Sequence, residues 1–184
     1  MAESTLTETD PADSALIARW HSGDERAATL LVERHASSLG RFIASLGVRG
    51  EVEEVVQDTF VRAFGSLDRF RAESSLRTWL FTIARNLVRD RVRADRTRRN
   101  TVPIEDSDSV TEGDALEETV AEETAVRLRL AVERLTPMQR EVFTLRVSEG
   151  MSYREIAQVL GNTEGAARVH YFNAMRSVKE FIDE

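Results

Sequence analysis

The segment that decides the fold is SLRTWLFTIARNLVRDRVR, which runs from Ser75 to Arg93. Its apolar residues recur every three or four positions, the spacing of one face of an α-helix. They are Leu76, Leu80, Ile83 and Leu87. Arg85, Arg89 and Arg93 fall four apart and predict a cationic stripe on the same helix. The segment therefore predicts a helix with one face for a core and another for an anionic ligand.

The composition predicts a helical, water-soluble chain of one or two domains. Of 184 residues, 31% are charged and 41% hydrophobic, and only three are proline. The absence of cysteine excludes disulfides, thiolate metal sites and cysteine nucleophiles. No apolar run approaches the roughly 20 residues that span a bilayer, and the acidic start MAESTLTETDPADS is unlike a signal peptide. We therefore expect a cytoplasmic protein without membrane insertion.

The net charge of −7 conceals two segments of opposite sign. Residues 85–99 hold seven arginines and two aspartates, a net charge of +5. Residues 101–126 hold nine acidic residues and no basic one, a net charge of −9. The second segment also has few apolar groups, so it cannot offset the entropy of ordering and is predicted to be a linker.

Cap signals and periodicity place helices on both sides of this linker. Asp13 and Asp24 are predicted N-caps of the first two helices, and apolar spacing predicts a third over about 52–67. The predicted fold is all-α, with two small helical domains. The predicted boundaries are a disordered tail (1–12), an N-terminal domain (13–99), a flexible acidic linker (100–126) and a C-terminal domain (127–184).

The C-terminal domain carries two capping boxes and a helix-turn-helix pattern. In TPMQRE, Thr136 is the N-cap with Gln139 at the third helical position, and in SYRE, Ser152 caps with Glu155. Gly161 allows a tight turn before a longer helix. In such motifs the second helix enters the major groove of DNA. The alternative is a small helical bundle without a DNA role, since helix pairs with a glycine turn are common.

An aromatic and an amide lie among the arginines of the opening segment. Arginine attracts phosphates, aromatic rings stack on unpaired bases, and an amide can read the edge of an extruded base. Trp79, Asn86 and Phe70 therefore suggest a surface for a melted DNA strand. The alternative is that the arginines form a solvated helix face and that Trp79 packs in the core.

The sequence contains no pattern for catalysis or metal binding. Glu53, Glu54 and Asp58 are interpreted as a polar helix face that docks a protein. The histidines are far apart in the sequence and form no ligand-spaced cluster; they are His21, His35 and His170. No glycine-rich phosphate loop or nucleophile elbow occurs. We expect neither an enzyme nor a cofactor or metal.

Two long segments together resemble the extracytoplasmic-function (group IV) sigma factors of bacterial RNA polymerase. EVEEVVQDTFVRAFGSLDRFRAESSLRTWLFTIARNLVRDRVR is similar to sigma region 2. RLTPMQREVFTLRVSEGMSYREIAQVLGNTEGAARVHYFNAMRSVKEFI is similar to sigma region 4. The resemblance implies a specificity subunit that binds the clamp coiled coil and the flap of the large polymerase subunits, promoter DNA and an anti-sigma factor.

Positions that match the family, together with the arginine stripe and the polar residues of the second helix of the helix-turn-helix, give three sets of candidate residues. The polymerase-docking set is Glu54, Gln57, Asp58 and Phe60. The −10 DNA set is Phe70, Arg71, Ser74, Ser75, Trp79, Arg85, Asn86, Arg89 and Arg93. The −35 DNA set is Tyr153, Arg154, Glu164, Arg168, His170, Phe172, Asn173 and Arg176. Val169, His170, Asn173 and Met175 depart from the hydroxyl or basic residues frequent in the family.

The resemblance implies that the chain directs polymerase by reading the −35 duplex and by melting the −10 element. Two alternatives remain at this point. One is a helix-turn-helix regulator that binds promoter DNA without polymerase. The other is a sigma-like protein that only titrates an anti-sigma factor, an alternative that the less basic recognition helix leaves open.

Overall fold

The computed structural model describes residues 12–48, 50–99 and 120–183. These residues form helices and connecting turns, with no β-strand among them, and the all-α prediction is confirmed. The helices are α1 (Asp13–His21), α2 (Glu25–Ser45), α3 (Val52–Ser66), α4 (Leu76–Arg99), α5 (Val120–Glu133), α6 (Pro137–Phe143), α7 (Tyr153–Leu160) and α8 (Glu164–Asp183). A 3₁₀ turn (Leu67–Arg69) follows α3, and a π-helical turn (Thr144–Ser148) follows α6.

Helix starts agree with the cap signals, with one exception. The Asp24 carboxylate accepts from the backbone N–H of Arg26, and both predicted capping boxes form. Asp13, by contrast, is the first residue inside α1, and the N-cap is Ala12. The prediction of Asp13 as a cap is therefore wrong.

Asp13 is used instead to join α1 to α2. Its carboxylate accepts from Arg34 Nη1 at 2.6 Å and lies 2.9 Å from His35 Nε2. Burial, opposed by the Asp13 charge, lowers the pKa of His35. The sequence could not show this use, because its partners lie 21 and 22 residues away.

Helices α1–α4 enclose the N-terminal core. Leu76, Leu80 and Leu87 of α4 are buried as predicted, and Ile83 is half-buried. Phe81, which the apolar spacing did not select, is fully buried and its ring lies 5.1 Å from that of Phe42. Since helix α4 supplies core residues on more than one side, it is central to the bundle.

The C-terminal domain packs against the N-terminal domain through α7 and α4. Val142, Leu145, Ile156 and Leu160 belong to the same continuous apolar core as the residues of α1–α4. A second, smaller core lies between α5, α6 and α8. The sequence predicted two domains and a linker, and it did not predict this contact between them.

The predicted linker is described only at its end. Residues 120–126 open α5, while residues 100–119 and the tail up to residue 11 lie outside the described residues. Across the ranges that the structure describes, no helix is both long and apolar enough to cross a membrane.

Candidate polymerase and promoter surfaces

The candidate docking residues lie on α3, where an arginine from α4 gathers their carboxylates. Arg91 contacts Glu51 at 2.9 Å, Glu54 at 2.8 Å and Asp58 at 2.7 Å. The hydrogen bond to Asp58, assisted by those to the two glutamates, raises the pKa of Arg91. Three carboxylates on one guanidinium leave a net charge of about −2 on a face that remains largely open to solvent. Gln57 is exposed beside them.

Phe60 differs from the other candidate docking residues because it is buried. Its ring stacks on Phe64 with centroids 6.0 Å apart. Both rings line a groove of about 610 Å³ between α2 and α3. The groove has a mostly apolar wall that includes Val32, Ala36, Val52, Val56 and Val61. Phe60 therefore lines this groove, and a partner seated in the groove would contact its ring.

The candidate −10 residues cluster at the start of α4. The rings of Phe70 and Trp79 lie 5.0 Å apart at a tilt of 38°, and both are half-buried. The Ser75 hydroxyl accepts from the backbone N–H of Thr78 at 3.1 Å, so its side chain caps α4. Ser74 donates to the Ser75 carbonyl at 3.3 Å. Arg71 is exposed in the loop between the 3₁₀ turn and α4.

The predicted arginine stripe is exposed only in its second half. Asn86, Arg89 and Arg93 are exposed. Arg89 and Arg93 also line a cleft of about 440 Å³ with Arg96, Pro137 and Glu141. The cleft is cationic at its α4 wall, which suits a phosphate backbone.

Arg85 departs from the stripe because the C-terminal domain covers it. Its side chain is 7% exposed, and its Nε donates to Glu141 Oε2 at 2.5 Å. A second nitrogen donates to the carbonyl of Leu160 at the end of α7. The expectation of an exposed Arg85 is therefore wrong for this conformation, since an acid 56 residues away neutralises it.

A second ionic contact between the domains centres on Glu149, whose side chain is 1% exposed. It accepts from Arg41 of α2 at 3.1 Å and from Arg77 of α4 at 2.7 Å. Sequence reasoning missed all three residues. Their separations of 108 and 72 residues leave no local pattern to find.

The helix-turn-helix forms as predicted, with α7, a turn and α8. Gly161 ends α7 in the left-handed conformation at φ 64°, which glycine adopts without strain. The Arg168 guanidinium lies 4.7 Å from the centre of the Tyr153 ring, and that of Arg146 lies 4.8 Å from it. Arg146 was not among the candidates, although it shares this ring with Arg168.

The remaining −35 candidates differ in exposure along α7 and α8. Phe172 is 66% exposed, an unusual position for a phenylalanine, whereas His170 and Asn173 are half-buried. Arg154 is exposed on α7. Surface ion pairs engage Glu164 with Arg168 at 3.7 Å and Arg176 with Glu180 at 3.9 Å. Such exposed pairs cost little to exchange for DNA phosphates.

Comparison with known proteins matches both halves of this arrangement. Residues 31–98 match the Sigma-70 region 2 family, and residues 125–178 match the Sigma-70, region 4 family. The chain is 30% identical over 175 residues to the ECF RNA polymerase sigma-E factor of Salmonella typhimurium, covering 90% of this chain and 92% of the relative. The chain belongs to the ECF sigma factors of the sigma-70 family. As a sigma factor it directs RNA polymerase to promoters.

A second relative and two solved structures extend the likeness. The ECF RNA polymerase sigma-E factor of Haemophilus influenzae is 29% identical over 180 residues, covering 92% of this chain and 95% of the relative. CnrH in complex with the cytosolic domain of CnrY is 31% identical, with a TM-score of 0.69 over 94% of this chain and 98% of that one. The sigma factor RpoE in complex with the anti-sigma factor NepR from Bartonella quintana is 25% identical, with a TM-score of 0.70 over 84% and 96%.

Proposed function

We propose that α3 docks the chain on core polymerase, that α4 holds melted −10 DNA and that α8 reads the −35 duplex. The observation that carries this proposal is that α4 has one buried and one exposed face. Its core face is buried in the bundle, while Asn86, Arg89 and Arg93 stand open to solvent on the same helix. One helix thus offers an amide and two cations to a ligand without loss of the fold.

Docking rests on the acidic face of α3. Its net charge of about −2 after pairing with Arg91 favours a cationic partner. The adjacent groove over Phe60 offers apolar contact area next to this charge. The arrangement fits the clamp coiled coil of core polymerase, and the flap would bind the C-terminal domain.

The −10 role combines stacking, base reading and phosphate attraction. The Phe70–Trp79 pair presents aromatic surface at the start of α4. An extruded base could stack there, and the Asn86 amide carries both a donor and an acceptor for its edge. Arg71, Arg89 and Arg93 would attract the flanking phosphates.

The −35 role places the N-terminal half of α8 in the major groove. Arg168 is preorganised by its stacking on Tyr153. Arg154 and Arg176 would contact phosphates on either side. Glu164, His170, Phe172 and Asn173 complete this surface.

This function requires the two domains to separate. The −35 and −10 elements lie about two helical turns, or ~70 Å, apart. In the packed conformation Arg85 is held by Glu141 and Leu160, so it cannot contact DNA. The residues between α4 and α5 would then span the gap as a tether, and the −9 charge of residues 101–126 would favour a positively charged channel of the polymerase.

We further propose an anti-sigma factor as a regulator, a cytoplasmic location and no enzymatic activity. One similar structure is the sigma factor RpoE in complex with the anti-sigma factor NepR, and another is CnrH in complex with the cytosolic domain of CnrY. A partner that stabilises the packed conformation would keep Arg85 covered by the C-terminal domain and away from the promoter.

The function is tested by transcription in vitro with purified core polymerase and a library of randomised promoters. We expect selected templates to share two short elements. Asn86→Ala should reduce opening of a selected duplex promoter and should also weaken binding to a pre-melted template. The exposed variant Thr29→Ala on α2 serves as the matched control. Promoter binding without core polymerase would favour a helix-turn-helix regulator instead.

A further inference from the structure

The outward face of α8 has a valine at its centre. Ala167, Ala174 and Val178 are buried and define the inward face. At about 100° per residue, Val169 lies about 180° around the helix axis from Val178. Its side chain is 59% exposed. Phe172, also exposed, follows one turn later on the flank of the same face.

In a helix-turn-helix, this outward face is the one that meets base edges in the major groove. A valine side chain has no hydrogen-bond donor or acceptor, so it cannot read the polar edges of guanine, cytosine or adenine. Thymine alone presents an apolar group there, its 5-methyl, and apolar side chains contact it. The chemistry of Val169 therefore selects one base among four.

We propose that Val169 is a specificity-determining residue that packs on the 5-methyl group of a thymine in the −35 element. The proposal rests on the proposed function, since it assigns α8 to the −35 duplex. It explains why the helix keeps a valine where a polar side chain would otherwise contact DNA. Phe172 would pack beside it on the same or the next methyl group.

The surroundings of Val169 favour DNA over a protein partner. Arg168 on Tyr153 and the exposed Arg176 flank the apolar pair along α8. Arg154 adds a third cation from α7. A stable protein interface usually buries about 800 Å² of surface on each partner. Two apolar side chains with arginines on either side offer far less apolar surface than that. Apolar contacts of this size among cations suit a base edge between two phosphate strands.

The test uses the full chain in holoenzyme on a promoter selected from a library randomised at −35. Each selected thymine is replaced singly by deoxyuridine, which removes the methyl group and leaves base pairing intact. We expect one position at which the replacement weakens binding of the native chain about three- to fivefold, the effect of about one buried methyl group. For Val169→Ser, which removes both methyl groups of the side chain, thymine and uracil should bind alike at that position.

Val147→Ser is the matched control, because Val147 is a similarly exposed valine outside α8. It should keep the full difference between thymine and uracil. If deoxyuridine has no effect at any position, or if Val169→Ser shows the same loss as the native chain, the proposal is overturned. If no promoter is enriched at all, the proposed function has failed first, and that result is distinct from a selected promoter without a methyl effect.

Discussion

Two arginine–carboxylate networks in this molecule use the same chemistry, but the carboxylates are exposed in one and buried in the other. Around Arg91, the carboxylates of Glu54 and Asp58 on α3 and of Glu51 just before it remain largely exposed. Around Glu149, two arginines converge on a carboxylate that is almost fully buried between the domains. Exposed pairs contribute about 0–1 kcal/mol, whereas breaking a buried pair costs about 3–5 kcal/mol. Loss of a partner from the buried network should therefore cost more stability than a similar loss from the exposed network.

The largest effect is expected from removing both arginines of the buried network. Arg41→Ala with Arg77→Ala leaves the Glu149 carboxylate buried without a cation. We expect the free energy of unfolding to fall by about 3–5 kcal/mol. Urea denaturation of the full chain measures it.

The matched rescue is to add Glu149→Gln to the same double variant. A neutral amide needs no cation, so most of the lost stability should return. A triple variant as unstable as the double one would show that the loss comes from packing of the arginine stems, not from the buried charge.

A third network, of intermediate depth, sharpens the comparison through pH. Asp13 contacts both Arg34 and His35, and burial lowers the pKa of His35 below its usual 6.5. The unfolded chain then binds the proton more readily than the folded one. This contribution to stability is complete above about pH 6.5 and declines as the pH falls below it.

Urea midpoints measured between about pH 7.5 and about pH 5.5 test this prediction. In the native chain the midpoint should fall toward the acid end, and in His35→Gln the slope over this range should be smaller. Equal slopes in the two proteins would exclude His35 as the titrating group.

The smallest change in stability is expected at the exposed network. Arg91→Ala should alter the free energy of unfolding by less than about 1 kcal/mol. It should nevertheless change the affinity for core polymerase, because the three carboxylates lose the group that orients them. Arg93→Ala is the matched control, since Arg93 lies on the same helix with only a 4.0 Å contact to Asp90. Equal polymerase affinity for native and Arg91→Ala chains would show that the Arg91 network plays no part in docking.

Local sequence signals predicted the helices, but they did not predict contacts between residues that are far apart in the sequence. Ser152 with Glu155 formed its capping box because both partners lie within one turn. Hydrogen bonds from the Ser152 backbone and hydroxyl outweigh burial and lower the pKa of Glu155, as expected of a capping carboxylate. The burial of Arg85, by contrast, depends on Glu141 and Leu160, which belong to the other domain.

The candidate surfaces show the same difference between local signals and distant contacts. Spacing and resemblance identified exposed residues such as Asn86 and Phe172, which one helix face determines. They missed Arg91, because its partners lie on another helix. The resemblance alone put Phe60 in the docking set, and its ring is buried and lines the groove. Burial of a charged or aromatic side chain depends on what packs over it, which periodicity along one helix does not contain.

The most direct measurement is the distance between the two domains in the free and the promoter-bound chain. The sequence has no cysteine, so Thr29→Cys and Ser177→Cys, both at exposed positions, give two unique sites for spin labels. We predict one short distance in the free chain and a distance longer by tens of ångströms in holoenzyme on a promoter, since the elements lie ~70 Å apart. An unchanged distance in a complex that produces transcript would contradict the account, because Arg85 would then stay covered throughout initiation.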